Sequence, residues 1–214
     1  MGSWKSFDRY AEEYDAWYEK YKLAYESELL ALRTFLRENP EKLKALEIGT
    51  GTGRFASALG IGIGLEPARA MAELAKQRGL EVVLGVAEFL PFKRQQFDFV
   101  LIVTALAFFE NPNQALREAL RVLKPGGQIV TGILDRDSSQ GRILDSEKKA
   151  SKFSSDAFFL SAKEVSSYLM KVGFENLEIC QTLFKRPEIT REIEIPKKGH
   201  GEGEFAVLSA RKPF

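Results

Sequence analysis

From residue 44 to residue 134 the chain alternates between short apolar runs and longer stretches in which apolar positions recur every three or four residues. The runs fall at 45–48, 61–65, 81–84, 97–103 and 128–134, and the periodic stretches near 53–59, 68–78 and 112–123. Short, continuously apolar runs suit strands buried on both faces, and joining such strands in parallel needs helical crossovers that cover the sheet. The pattern therefore predicts successive βαβ units. Upstream, residues 7–38 place Leu29, Leu30, Leu32, Phe35 and Leu36 at helical spacing, and Asn39-Pro40 reads as the stop. Downstream, 135–155 is polar and charged and reads as a long loop at the functional end of the sheet. A helix at 162–171, ended by Gly173, and two strands at 174–184 and 204–210 close the chain. No helical pattern separates those two strands, so they are expected to be antiparallel neighbours. The 214 residues are read as one domain.

One segment carries chemistry. Ala45-Leu46-Glu47-Ile48-Gly49-Thr50-Gly51-Thr52-Gly53 runs from a strand into a helix through three glycines at alternate positions. Glycine lets a ligand approach the backbone with no Cβ in the way, and a helix N-terminus offers free N–H groups. Open α/β sheets bind ligands at this end of their strands. The dinucleotide fingerprint wants Gly-x-Gly-x-x-Gly, whereas Gly49, Gly51 and Gly53 follow Gly-x-Gly-x-Gly, which weighs against NAD. Glu66 ends the second run and is followed by Pro67. A carboxylate there can accept both hydroxyls of a ribose, or it can simply cap the helix that follows.

Composition narrows the partners. Lys plus Arg number 31 against 30 Asp plus Glu, so no global field favours nucleic acid. No apolar run approaches the roughly 20 residues of a membrane-spanning helix, and Met1 to Phe7 lacks the pattern of a secretory leader. The single cysteine, Cys180, leaves no internal disulfide and no Cys-rich zinc site. No Asp/Glu/His cluster has metal-ligand spacing. These features suit a cytoplasmic protein with a small-molecule or protein partner.

Four segments in order resemble the class I S-adenosylmethionine-dependent methyltransferases, in particular the small-molecule branch similar to the ubiquinone and menaquinone biosynthesis enzymes. They are Glu47 to Gly53, Gly64-Leu65-Glu66-Pro67, Gly85 to Phe92, and Leu116 to Gly127 with its Leu-Lys-Pro-Gly-Gly ending. The stretch Phe7 to Asp15 also looks like the start of such enzymes. The resemblance implies a Rossmann-like, seven-stranded, mostly parallel sheet with an antiparallel last strand, helices on both faces and an N-terminal helical lid. The lid would span 1–39, the cofactor-binding half 44–134 and the substrate side 135–214. It implies S-adenosylmethionine as cofactor. Gly49, Thr50, Gly51 and Gly53 would line its methionine and ribose, and Glu47 would lie near its ammonium. Glu66 would hold the ribose hydroxyls, Pro67 would sit beside the adenine, and Ala87 and Glu88 would bracket the adenine edge. Thr104 would approach the methionine and Tyr14 would belong to the lid.

Two departures stand out. Val86 occupies the place where such enzymes usually show an acid, which leaves Glu88 as the expected acceptor for the adenine amino group. The short stretch between Gly53 and Glu66 implies a clipped first helix or a tight turn into the second strand. Transfer from a sulfonium is an in-line displacement that gains from positioning and water exclusion, so a dedicated base is optional and no side chain is assigned a catalytic role. His200, the one histidine, reads as a loop residue. Asp135, Arg136 and Asp137 read first as a solvated loop, and within it Asp135 is the best candidate for a substrate-contacting carboxylate. Phe108, Phe109, Phe153, Phe158 and Phe159 line an apolar pocket or belong to the core. Three functions remain open: methyl transfer to a small molecule, a non-catalytic S-adenosylmethionine-binding role, and NAD-dependent oxidoreduction.

Overall fold

The computed structural model describes residues 4–36 and 43–214. Its sheet has eight strands in the order β3-β2-β1-β4-β5-β8-β6-β7. The strands are β1 (Ala45–Ile48), β2 (Ile63–Glu66), β3 (Glu81–Leu84), β4 (Phe97–Val103), β5 (Leu123–Leu134), β6 (Glu175–Thr182), β7 (Lys197–Lys198) and β8 (Phe205–Arg211). The first five are parallel, and β8 runs antiparallel to both β5 and β6. The expected antiparallel pair at the C-terminus is therefore present. The eighth strand, beyond the seven read from sequence, is the two-residue β7 at the edge, too short and too polar to show as an apolar run.

Side chains alternate across the pleat and build a core on each face. Leu46, Ile48, Val100, Ile102 and Ile129 pack under α6 (Pro112–Val122) and α8 (Ala162–Val172). Ala45, Leu101, Val103, Val130 and Val207 pack under α3 (Lys22–Arg33) and α4 (Arg54–Ala58). Leu32 of α3 is fully buried there, a side chain whose burial stabilises by about 1.5–3 kcal/mol. α5 (Arg69–Gln77) crosses from β2 to β3. α6 starts where the Asn111 side chain accepts from Gln114 N–H, with Pro112 in the first turn, and α8 starts in a capping box of Ser161 and Glu164.

Three local departures from the sequence reading have physical causes. The N-terminal helical segment is three helices, α1 (Lys5–Arg9), α2 (Ala11–Lys20) and α3, broken at Tyr10 and Tyr21, whose ψ values of 33° and 46° leave the helical region. α3 ends at Arg33, and the stop expected at Asn39-Pro40 lies outside the described residues. The stretch read as a loop holds α7 (Ser139–Glu147), started by the Ser138 hydroxyl on Gly141 N–H at 2.9 Å. Gly141 is needed because a Cβ would stand 2.0 Å from the Asp135 carbonyl. β5 begins at Leu123, so Pro125-Gly126-Gly127 forms an irregularity within the strand instead of a turn before it. The first crossover is short as expected: α4 has five residues.

Candidate active site

A cavity of about 1150 Å³, its open mouth included, lies at the C-terminal ends of β1, β2 and β4 under α1 and α2. Ten of the eleven residues picked out from sequence line it: Glu47, Gly49, Thr50, Gly51, Glu66, Pro67, Ala87, Glu88 and Thr104 from the sheet end, and Tyr14 from α2. Gly53 is the exception. It caps α4 at φ +79°, and a Cβ there would press on Ala75 and Leu80, so its glycine serves packing behind the loop.

The other two loop glycines differ in use. Gly49 (φ +71°) is closed in, since a Cβ would stand 2.5 Å from that of Ala105. Gly51 (φ +54°) has nothing within 4 Å of where a Cβ would be. Open space over a bare backbone is the cradle that a ligand's close approach requires, and the loop fits a nucleoside-bearing cofactor in this respect. Gly51 N–H donates to Glu66 Oε2 at 2.9 Å, and Ala68 N–H donates to Oε1 at 2.9 Å. The backbone thus fixes both carboxylate oxygens at the end of β2, each with a lone pair left for a further donor. Burial pushes the Glu66 carboxyl up to about 7, with the two N–H groups pulling partly back.

Glu47, buried at the end of β1, accepts from the Thr50 hydroxyl at 2.5 Å and from Ala56 N–H at 3.2 Å, both through Oε2. Burial pushes its carboxyl up to about 8. Glu88 is 8% exposed and accepts from Asn111 N–H at 3.1 Å, which ties the β3–β4 connection to the start of α6. The neighbouring Val86 is 39% exposed. Thr104, just past β4, holds φ +52°, uncommon for a β-branched residue, and is fixed by its N–H on the Gly132 carbonyl at 2.7 Å. The Tyr14 hydroxyl lies 2.8 Å from that of Tyr18.

Two carboxylates tie α1 and α2 to the sheet-end helices. Asp8 accepts from Ala70 N–H at 2.8 Å, in the first turn of α5. Asp15 receives two bonds from Arg54, from Nε and Nη2, at 2.8 Å each, and one from Arg78 Nη2 at 2.7 Å. Burial alone would raise the Asp15 carboxyl, but the guanidinium groups outweigh it and hold it down at about 2. Sequence reading missed Arg54 and Arg78, because an arginine on a helix carries no sign of a partner 39 or 63 residues away. It also missed Trp4 and Met71, which line the cavity as ordinary apolar residues would.

Among the phenylalanines, Phe108 and Phe109 line the cavity, Phe153 packs on Phe7 and Tyr14, Phe159 is buried and Phe158 is 63% exposed. Asp135 does not line the cavity. It is fully buried and accepts from the backbone N–H groups of Asp137, Ala162 and Gly201, so it organises the end of β5. His200 Nδ1 lies 4.0 Å from it, also away from the cavity. Among the described residues no helix is long and apolar enough to cross a membrane, and no three His, Cys, Asp or Glu side chains are grouped to hold a metal ion.

A family model described as a methyltransferase domain matches residues 46–131. An uncharacterised protein of Methanocaldococcus jannaschii is 47% identical over 206 residues, covering 96% of this chain and 98% of its own. A demethylmenaquinone methyltransferase of Thermotoga maritima is 33% identical over 135 residues, 58% of each chain. A Thermotoga maritima crystal structure, described as an S-adenosylmethionine-dependent methyltransferase and possible histamine N-methyltransferase, superposes with a TM-score of 0.94 at 45% identity, covering 98% of this chain and 99% of that one. The glycine cradle, the acid that ends β2 and the order of the strands agree with these likenesses, and the chain belongs to the S-adenosylmethionine-dependent methyltransferases, with S-adenosylmethionine as its cofactor.

Proposed function

We propose that this protein transfers the sulfonium methyl of S-adenosylmethionine to a small-molecule acceptor in the cytoplasm. The observation that carries the reading is Glu66, whose two oxygens are set by Gly51 and Ala68 N–H beside open space over Gly51. In this reading Glu66 accepts the ribose hydroxyls, and Gly49, Thr50 and Gly51 border the ribose and methionine. Glu47 faces the ammonium, while Pro67, Ala87 and Glu88 border the adenine. Glu88 replaces the acid absent at Val86. Thr104 approaches the methionine, Tyr14, whose hydroxyl neighbours Thr104, belongs to the lid, and Gly53 supports the loop from behind. The bound cofactor supplies an electrophilic methyl group, and the chain orients it and keeps water away.

Calorimetry tests the reading. S-adenosylhomocysteine, which keeps every group assigned above except the methyl, should bind at micromolar concentration, and NAD should give no measurable heat. The reverse result would end the assignment. Radiolabelled methyl transfer over a panel of acceptors then separates an enzyme from a protein that only binds the cofactor.

A further inference from the structure

Beyond the residues given to the donor, the cavity is also lined by Trp4, Phe7, Phe108 and Glu110. Its wall on the β4 side is aromatic. Phe7 of α1 meets Phe108, after β4, edge to face at 4.8 Å between centroids, and meets Tyr14 the same way at 5.3 Å. Phe153, after α7, stacks on Phe7 at 5.9 Å and backs the wall. Trp4, packed in the same apolar cluster as Phe7, also lines the cavity.

The charges of the cavity are one-sided. Glu47, Glu66, Glu88 and Glu110 line it, and among the described lining residues Arg54 alone is cationic. Its side chain is 12% exposed, with Nε and Nη2 on Asp15 and Nη1 on Glu19. Two cations of the adjoining surface, Arg9 and Lys152, lie over the Tyr10 ring, and Lys152 is paired with Glu13 at 2.6 Å. Glu47, Glu66 and Glu88 are given to the donor, so an anion entering beside it would lose its water and meet Glu110 with no uncommitted cation among the described lining residues. An aromatic or protonated guest would meet ring faces and edges that attract it.

We infer, on the methyltransferase reading above, that the acceptor is a ring-bearing small molecule without negative charge, seated against Trp4, Phe7 and Phe108, and that its carboxylated counterparts are rejected. In the transfer, the lone pair of an acceptor nitrogen or oxygen forms the bond to the methyl carbon. The sulfur–carbon bond breaks with its electrons left on sulfur, and the acceptor's proton passes to water.

The test uses the full chain saturated with S-adenosylhomocysteine, with saturation checked by calorimetry. NMR titrations compare tryptamine with indole-3-acetate and 4-methylphenol with 4-hydroxybenzoate. The uncarboxylated member of each pair should bind at least tenfold more tightly. Phe108→Lys, which puts a cation into the wall, should shrink that ratio at least tenfold, with the melting temperature checking that the variant folds. Phe7→Ala on the partly exposed α1 should weaken the uncarboxylated rings at least tenfold. Equal or tighter binding of the carboxylates, or no ring binding to the loaded protein, overturns the inference and leaves the cofactor reading intact. Failure to bind S-adenosylhomocysteine overturns the reading beneath it.

Discussion

Glu66 shows how much one side chain can be asked to do. Its oxygens already hold the loop through Gly51 N–H and the start of α5 through Ala68 N–H. If it also accepts the ribose hydroxyls, Glu66→Ala should weaken S-adenosylhomocysteine binding by about 2 to 4 kcal/mol, on the order of 30- to 1000-fold in Kd. Calorimetry on the variant measures this, and an unchanged Kd would reduce Glu66 to a cap and loop tie. Its position was legible because a strand's end, an acid and a proline stand in consecutive positions. The separate duties of Gly49, Gly51 and Gly53 were not, since what a Cβ would strike depends on Ala105, Ala75 and Leu80, which the fold brings in from elsewhere. Asp135 misled for the same reason: an exposed-looking acid after a strand is fully buried on one backbone N–H of its own turn and one from each of two other segments.

At the scale of elements, α2 is latched by Asp15 to Arg54 and Arg78, and Arg54 is the first residue of the helix that follows the glycine loop. The N-terminal helices and the glycine loop therefore share a joint. Asp15→Asn should cost about 2 to 4 kcal/mol, because it takes the charge out of three charge-assisted bonds and leaves Arg54 with Glu19 and Arg78 with the Thr52 carbonyl. Amide exchange should then speed up in residues 8–20 more than in β8. In the parent chain, S-adenosylhomocysteine should slow exchange in 8–20 more than in β8, and equal protection with and without ligand would make the segment plain scaffold. The parallel strands and their crossovers were readable from the period of apolar positions alone. α7 was not, because a glycine in its first turn and a mostly polar sequence hide a helix that Ser138 starts.

For the molecule as a whole, the buried carboxyls set a pH dependence opposite to that of most folded domains. Glu47 is pushed up to about 8 and Glu66 and Glu204 to about 7, each chiefly by burial. The unfolded chain gives up these protons near 4.5, so between 4.5 and 8 the folded state holds more protons and stability falls as pH rises. The contribution is full below 4.5 and gone above 8. The cofactor-free protein should lose at least about 5 °C in melting temperature from pH 5 to pH 8, as a cost of about 2 kcal/mol implies for a domain of this size. Glu47→Gln should flatten the curve, and a melting temperature that rises over this interval would refute the account. The aromatic wall has a different kind of consequence. Phe7 precedes the five parallel strands and Phe153 follows them, so two of its rings lie outside the stretch of chain that carries the glycine loop. Exchanging α1 together with residues 148–158 between relatives should therefore alter which acceptors are methylated, read by methyl transfer over the acceptor panel, while S-adenosylhomocysteine affinity by calorimetry stays within a few fold.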